Sequence, residues 1–333
     1  MNTIKNRPED MVEEMIEGYV RSNCDLLKKV RGVKAIRVKN TPPRVMVIAG
    51  GGAGCEPMYL GYAGEGMADA IVSGNIFAAP SATALLKTIR QMNHEDGVVM
   101  ITGNYIGDVL NYELAVELCG YEGIQAKAVF VKDDILHAPK ESRENRRGIT
   151  GIMCVIKAAA GAAASGLSLA EVEQTAIRAR DQIGSVSVTF WPGYRPETGK
   201  RMYEMDADTI EVGMGFNGEP GILQMQMPTA NQLAEKVLDY LISDMNLTKG
   251  DEVLLMVNGK GATSNMELSI MSNSLHEYLK CKEISVYKTE VGNFFTAPGM
   301  GGISVTLMKM DPILKRYYNL DSYTPLYTYR AKV

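Results

Sequence analysis

Histidine, tryptophan and cysteine are scarce in this 333-residue chain, which has three His, one Trp and five Cys. His94, His137 and His276 sit in polar surroundings with no partner at ligand spacing and read as surface residues. That argues against Ser/His/Asp and Cys/His triads and against a His-based zinc site. The cysteines at 24, 55, 119, 154 and 281 are odd in number, widely spaced and without a Cys-x-x-Cys, so neither a disulfide framework nor a zinc cluster is expected and the thiols read as reduced. No uncharged apolar run approaches the ~20 residues that span a bilayer. The opening Met1-Asn2-Thr3-Ile4-Lys5-Asn6-Arg7-Pro8-Glu9-Asp10 lacks the apolar core of a signal peptide, and the expected location is cytoplasmic. An excess of positive charge is missing too. The formal net charge is −4 with Lys and Arg scattered, so no direct contact with nucleic acid or an anionic membrane is expected.

What is present is a large apolar content, 46% of residues, on a chain about twice the length of a typical domain. Branched apolar runs at Val45-Met46-Val47-Ile48, Val98-Val99-Met100-Ile101, Ala128-Val129-Phe130-Val131, Val253-Leu254-Leu255-Met256-Val257 and Ile303-Ser304-Val305-Thr306-Leu307 read as strands. They alternate with helical stretches, the pattern of an α/β fold. Met11, Val12, Met15, Ile16 and Tyr19 mark an opening helix that Pro8 can start. Ser168-Leu169-Ala170-Glu171 and Thr229-Ala230-Asn231-Gln232 fit the capping box. The run from Lys157 to Ala164 reads as a helix of small residues that lets another backbone approach closely. With a boundary between the helix ending near Arg180 and the strand Val186-Ser187-Val188, the expected domains are 1–184 and 185–333. Each is expected to be a mixed β-sheet flanked by helices.

Two turns draw the eye to chemistry. Gly213-Met214-Gly215-Phe216-Asn217-Gly218-Glu219-Pro220-Gly221 follows an apolar strand and leaves Asn217 and Glu219 as its polar groups. Gly50-Gly51-Gly52-Ala53-Gly54-Cys55-Glu56-Pro57 repeats the Gly-x-Glu-Pro ending, which suggests one site assembled from two places in the chain. Neither turn fits a nucleotide-binding pattern. Asp108, after the strand ending at Ile101, stands where a strand-end base would, or else caps a helix beginning at Val109. Asp133-Asp134 reads as a solvated or capping pair, with metal binding the alternative. Cys55 reads as a small buried residue, with a nucleophile the alternative.

Taken in order, Gly50 to Pro57, Asn104-Tyr105-Ile106-Gly107-Asp108-Val109, Arg146-Arg147-Gly148, the Lys157 to Ala164 run, Gly218-Glu219-Pro220-Gly221 and Val257-Asn258-Gly259-Lys260-Gly261-Ala262-Thr263 closely resemble the dihydroxyacetone kinase K-subunit family. The opening Asn6 to Met15 segment and Gly61-Tyr62-x-Gly-x-Gly-Met67 match as well. The resemblance implies two α/β domains, a homodimer and a site for a short ketone between the domains. It implies no cofactor on this chain, with ATP/ADP and Mg carried by a separate L-type subunit that receives the ligand's hydroxyl for phosphoryl transfer. It places the ligand against Gly52, Ala53, Gly54, Cys55, Gly103, Asn217 and Gly218, with Asp108 as base.

The departures from the family pattern matter equally. Cys55 and Asn217 stand where the family has His, and Gly103 stands where it has Lys. The amide of Asn is not nucleophilic, so the family's covalent capture of a carbonyl cannot occur at Asn217. A small ketone, ketose or polyol held non-covalently is the main expectation. A metabolite-sensing co-activator that contacts a transcription factor is the alternative. Lys260 stands in a turn where the family has an apolar residue, exposed or a substitute carbonyl trap. Trp191 lines an altered pocket or supports the loop.

Overall fold

The computed structural model describes residues 2–93, 95–206 and 208–331; His94 lies outside the described residues. A first sheet is built from β1 (Leu27–Lys29), β2 (Ala35–Val38), β3 (Met46–Ala53), β4 (Ala70–Ile76), β5 (Val98–Gly103) and β6 (Ala126–Val131), in the order β1-β2-β4-β3-β5-β6. The pairs β4/β3, β3/β5 and β5/β6 are parallel, while β1/β2 and β2/β4 are antiparallel. Its helices are α1 (Met11–Ser22), α2 (Ala82–Ile89), α3 (Ile106–Tyr121), α4 (Ile152–Ala164) and α5 (Leu169–Asp181). Strands covered on both faces read as unbroken apolar runs, and every residue of β5 is buried.

The second sheet holds β7 (Ile183–Trp191), β8 (Thr209–Val212), β9 (Leu223–Gln226), β10 (Glu252–Gly259), β11 (Ser285–Gly292) and β12 (Gly301–Lys309), in the order β11-β10-β12-β7-β8-β9. Only β10/β11 is parallel. With it come α6 (Ala230–Met245) and α7 (Asn265–Cys281), whose Leu233, Val237, Leu241 and Leu268, Leu275, Leu279 stripes share one core with Val253, Leu255 and Val257 of β10. Both helices open on reciprocal capping boxes, Thr229 with Gln232 and Ser264 with Glu267. The chain ends in α8 (Pro312–Tyr318) and the short pair β13 (Ser322–Tyr323) and β14 (Thr328–Tyr329).

By its contacts the chain divides into two compact units, each drawn from separated stretches of sequence. One comprises Ile4–Val131, Ile152–Ala179 and Pro312–Val333 around the first sheet; the other comprises Met1–Thr3, Lys132–Gly151 and Arg180–Asp311 around the second. Two sets of contacts explain the interleaving. The Asp133 carbonyl accepts from Ser185 N at 2.7 Å, and Ile135 N donates to Ser185 O at 3.1 Å, which stitches residues 132–151 to β7. The C-terminal segment returns to α4, where Lys157 Nζ donates to Leu320 O at 2.9 Å and to Ser322 Oγ at 2.6 Å, and lies 4.0 Å from the centre of the Tyr329 ring. Distant partners of this kind leave no mark on the local pattern of either segment.

Two expectations are corrected. β3 does not end at Ile48 but runs through Gly50, Gly51 and Gly52 to Ala53. Those glycines answer to crowding rather than to a turn: a Cβ on Gly50 would stand 2.1 Å from Val72 O, and one on Gly51 would stand 2.4 Å from the Tyr59 ring. α3 begins at Ile106, not Val109, with Tyr105 at its N-cap, so Asp108 lies inside the first turn and is not the cap.

The small-residue helix α4 is buried from Ile152 to Ala163 and packs against α8 as expected of a close-approach element. Its Gly161 is the point of nearest approach, since an added Cβ would lie 2.1 Å from Tyr317 O. Gly to Ala inside a helix ordinarily stabilises by about 1 kcal/mol. Here Gly161→Ala is expected to destabilise by about 2 kcal/mol because backbone must move to admit the methyl. Denaturant unfolding followed by far-UV circular dichroism checks the sign, and a gain in stability would contradict the packing.

Candidate functional site

In the first-sheet unit the chain order β3, β4, β5 puts β4 on one side of β3 and β5 on the other, a topological switch point. Ligands of open α/β sheets gather at the carboxyl ends of the strands at such a point. The segments found there are Gly54-Cys55 after β3 and Asn104 to Asp108 after β5. Gly54, at φ +102°, turns the chain, and its N–H donates to Glu56 Oε1 at 3.0 Å. Gly52 is half-buried, and Ala53 and Cys55 are buried. A Cβ on Gly52 would stand 2.7 Å from Ala78 N.

Tyr59 links the two segments. Its ring lies over Gly51, and its hydroxyl accepts the Gly103 N–H at 3.2 Å. Gly103 itself is hemmed in, with Ile152 Cδ1 and the Tyr105 ring each 3.1 Å from where a Cβ would stand. A longer side chain there would have to displace one of them. Asp108 is only 8% exposed. Burial pushes its carboxyl up to about 7, and the nearby Thr102 hydroxyl and its own backbone amide offset only part of that rise. The positive end of α3 favours the carboxylate as well, but desolvation wins.

In the second-sheet unit, Gly213 leaves β8 at φ +85° and donates to Ser187 O at 2.7 Å. Glu219 then closes the turn: its Oε2 accepts Asn217 N at 3.0 Å and its Oε1 accepts Asn217 Nδ2 at 3.3 Å. Asn217 and Gly218 are half-buried. Arg147 holds the turn from behind, donating through Nε to Asp134 Oδ2 at 2.7 Å and through Nη2 to Gly213 O at 2.8 Å. Lys260 is fully buried; Nζ donates to Ser187 Oγ at 2.8 Å, Thr189 Oγ1 at 2.7 Å and Met214 O at 3.2 Å, over the face of Phe216. Burial and the Arg147 charge push its ammonium down to about 7.

Against known proteins, residues 17–326 match the model of the Dak1 domain. The chain belongs to the Dak1 family. It is 37% identical over 330 residues to a PTS-dependent dihydroxyacetone kinase 2, dihydroxyacetone-binding subunit DhaK, of Listeria innocua, covering 98% of this chain and 99% of that one. It is 34% identical to a D-erythrulose kinase of Mycolicibacterium smegmatis, of which the match spans 56%. Among solved structures, a dihydroxyacetone kinase operon co-activator superposes with a TM-score of 0.89 at 28% identity, covering 99% of this chain and all of that one. The dihydroxyacetone kinase of C. freundii superposes equally well, at 0.89 and 27% identity, covering 98% of this chain and 60% of that one.

Within this Dak1 chain the expected site residues fall into two sets. Gly52, Ala53, Gly54, Cys55, Gly103 and Asp108 gather at the switch point of the first sheet, and Asn217 and Gly218 lie on the turn after β8. Asp133 and Asp134 are not solvated but fully buried, and they hold backbone and Arg147. Asp133, pushed up to about 6 by burial, accepts from Ile149 N, Gly151 N and Ser185 Oγ. His276 is half-buried, its ring 2.7 Å from Thr289 Oγ1, whereas His137 is exposed as expected. Trp191 ends β7 at 44% exposure, its ring lying over Gly301. Lys260 is the largest correction, because an exposed turn residue was expected. Thr102, Tyr59 and Tyr112 carry no motif that would mark their roles, and Arg147, though part of the Arg146-Arg147-Gly148 motif, carries no local sign that it braces the turn.

The burial of Lys260 has a sign that can be measured. Its folded pKa of about 7 lies below the ordinary 10.5, so the unfolded chain binds more protons between those values and stability rises with pH across that window. Lys260→Met removes the titration. The melting temperature of the native protein relative to Lys260→Met is therefore expected to climb between pH 6 and pH 9, and a flat or falling difference would contradict the buried ammonium.

Proposed function

We propose that this chain is the substrate-binding subunit of a dihydroxyacetone-kinase-type phosphotransferase, presenting one hydroxyl of a small ketose or polyol to ATP held on a separate L-type subunit. The observation that carries the proposal is the end-to-end match to a separate dihydroxyacetone-binding subunit, 98% of this chain and 99% of that one. Relatives named as erythrulose kinases make four-carbon ketoses candidate ligands beside the triose. The proposed contacts are Gly52, Ala53, Gly54, Cys55, Gly103, Asn217 and Gly218, with the chain working as a cytoplasmic homodimer.

In this reading Asp108 takes the proton from the ligand's hydroxyl as that oxygen bonds to the terminal phosphorus of ATP, and ADP leaves with the electrons of the broken P–O bond. Asp108 then returns its proton to solvent. Asn217, whose backbone N–H and side-chain amide Glu219 orients, contributes a hydrogen bond and no covalent bond, since an amide nitrogen is not nucleophilic. A base must be ionised to act, so the rate is expected to rise as pH passes about 7. The second reading, a co-activator contacting a transcription factor, is favoured by the superposition on an operon co-activator over the whole of both chains.

Phosphoryl transfer with a cognate L-type subunit, measured on dihydroxyacetone, erythrulose and related polyols, tests the choice. At least one compound is expected to turn over, and Asp108→Asn is expected to slow it by about 10²–10⁴-fold, the usual worth of a general base. No turnover on any of them, with a helix-turn-helix protein co-purifying from cells, would replace this reading with the second.

A further inference from the structure

Three polar atoms are buried together in the first-sheet unit without a hydrogen bond: Asp108 Oδ1, Thr102 Oγ1 and Tyr112 OH. Thr102 and Tyr112 are fully buried and Asp108 is 8% exposed. Leaving a buried donor or acceptor unmade costs about 1–3 kcal/mol each, so three at one place call for an explanation. Asp108 and Tyr112 are four residues apart on α3 and so share one helix face. Thr102 comes from the adjoining end of β5, and Tyr59 from the loop after β3. Thr102 stands beside all three of the others, lowering the pKa of Asp108, Tyr59 and Tyr112 alike.

The hydrogen-bonding inventory of a threonine fits this company. One hydroxyl offers one donor and two acceptor lone pairs. An ionised carboxylate only accepts, whereas each phenol has one proton to give. One arrangement satisfies an ionised Asp108 and both phenols through the threonine: Tyr59 and Tyr112 donate to Thr102, and Thr102 donates to Asp108. Tyr59 is poised for it, because its oxygen already accepts from Gly103 N at 3.2 Å and its proton is left to give. Hydrogen bonds in such a chain polarise one another and strengthen the last of them.

We propose that Thr102 is a positioning residue that gathers the hydroxyl protons of Tyr59 and Tyr112 and passes one hydrogen bond to Asp108, so that the carboxylate gains this added stabilisation when the relay closes. The groups facing Asp108 are uncharged at neutral pH: Thr102, Tyr59 and Tyr112, with Cys55 bearing on Tyr59. Among the described residues no cation bears on Asp108, so the relay adds to the backbone amide in setting how much of the carboxyl is ionised. A proton moves only between Asp108 and the ligand or solvent, and the three hydroxyls keep theirs. The link to catalysis rests on Asp108 being the base, but the relay itself does not.

The test reads the Asp108 carboxyl directly, by ¹³C NMR titration of the full chain labelled at aspartate, with Asp108→Asn assigning the signal. Thr102→Val keeps the shape and removes the hydroxyl; the Asp108 midpoint is expected to rise by at least about half a pH unit, a threefold change in ionisation at fixed pH. Thr102→Ser is expected to keep the native midpoint, and Tyr112→Phe to raise it by less than Thr102→Val. An unchanged or lowered midpoint in Thr102→Val, or a shift in Thr102→Ser as large as in Thr102→Val, would overturn the relay. The acid limb of phosphoryl transfer should move with the NMR midpoint. A limb that stays fixed while the midpoint moves would instead refute Asp108 as the base.

Discussion

Desolvation of ionisable groups without an opposing charge at hydrogen-bonding distance is the constraint on which both sets of candidate residues depend. Asp108 lies among hydroxyls and glycine backbone, and Lys260 among hydroxyls, a carbonyl and an aromatic ring. Each is pushed to about 7 from its own side of the scale. A close ion pair would have fixed either charge and removed its capacity to exchange a proton near neutrality. The neighbouring Arg147–Asp134 pair shows the contrast, since it is buried, directly bonded and structural.

That difference divides the labour. Asp108 sits at the carboxyl end of the parallel strands β3 and β5, where side chains from the loops that follow these neighbouring strands can reach a ligand. Lys260 sits behind the turn that carries Asn217, and its three hydrogen bonds reach two residues of β7 and the turn's own Met214. It is a brace and not a nucleophile in this geometry. The turn keeps its shape through Glu219 and Arg147, and its Asn217 offers an amide, not a nucleophile that could bond covalently to a carbonyl.

Much of the fold was legible because apolar strands and amphipathic helices carry their own periodicity. The strands at Val98, Val253 and Ile303 and the helix capped by Thr229 stand where the pattern puts them. Gly50 to Gly52 read as a turn in the sequence because the cause of those glycines lies in Val72, Tyr59 and Ala78, which press on the strand from elsewhere in the chain. The interleaving of the two units is illegible for a related reason, since nothing local in residues 132–151 announces that they pair with β7. Asp108 was visible as a carboxylate after a strand, yet its partners Thr102, Tyr59 and Tyr112 look like ordinary strand, loop and helix residues until the fold gathers them. The burial of Lys260 was illegible because Ser187 and Thr189, which satisfy its amine, lie 73 and 71 residues away.

The central claim is that this Dak1 chain holds a small hydroxylated ligand without a covalent bond. Intact-mass spectrometry of the protein incubated with dihydroxyacetone or erythrulose, with and without borohydride, tests it most directly, with ligand-induced thermal stabilisation measured on the same samples. Stabilisation by at least one of the two with no increase in protein mass is the predicted result. An added ligand mass that maps to the turn bearing Asn217, or to Lys260, would contradict it.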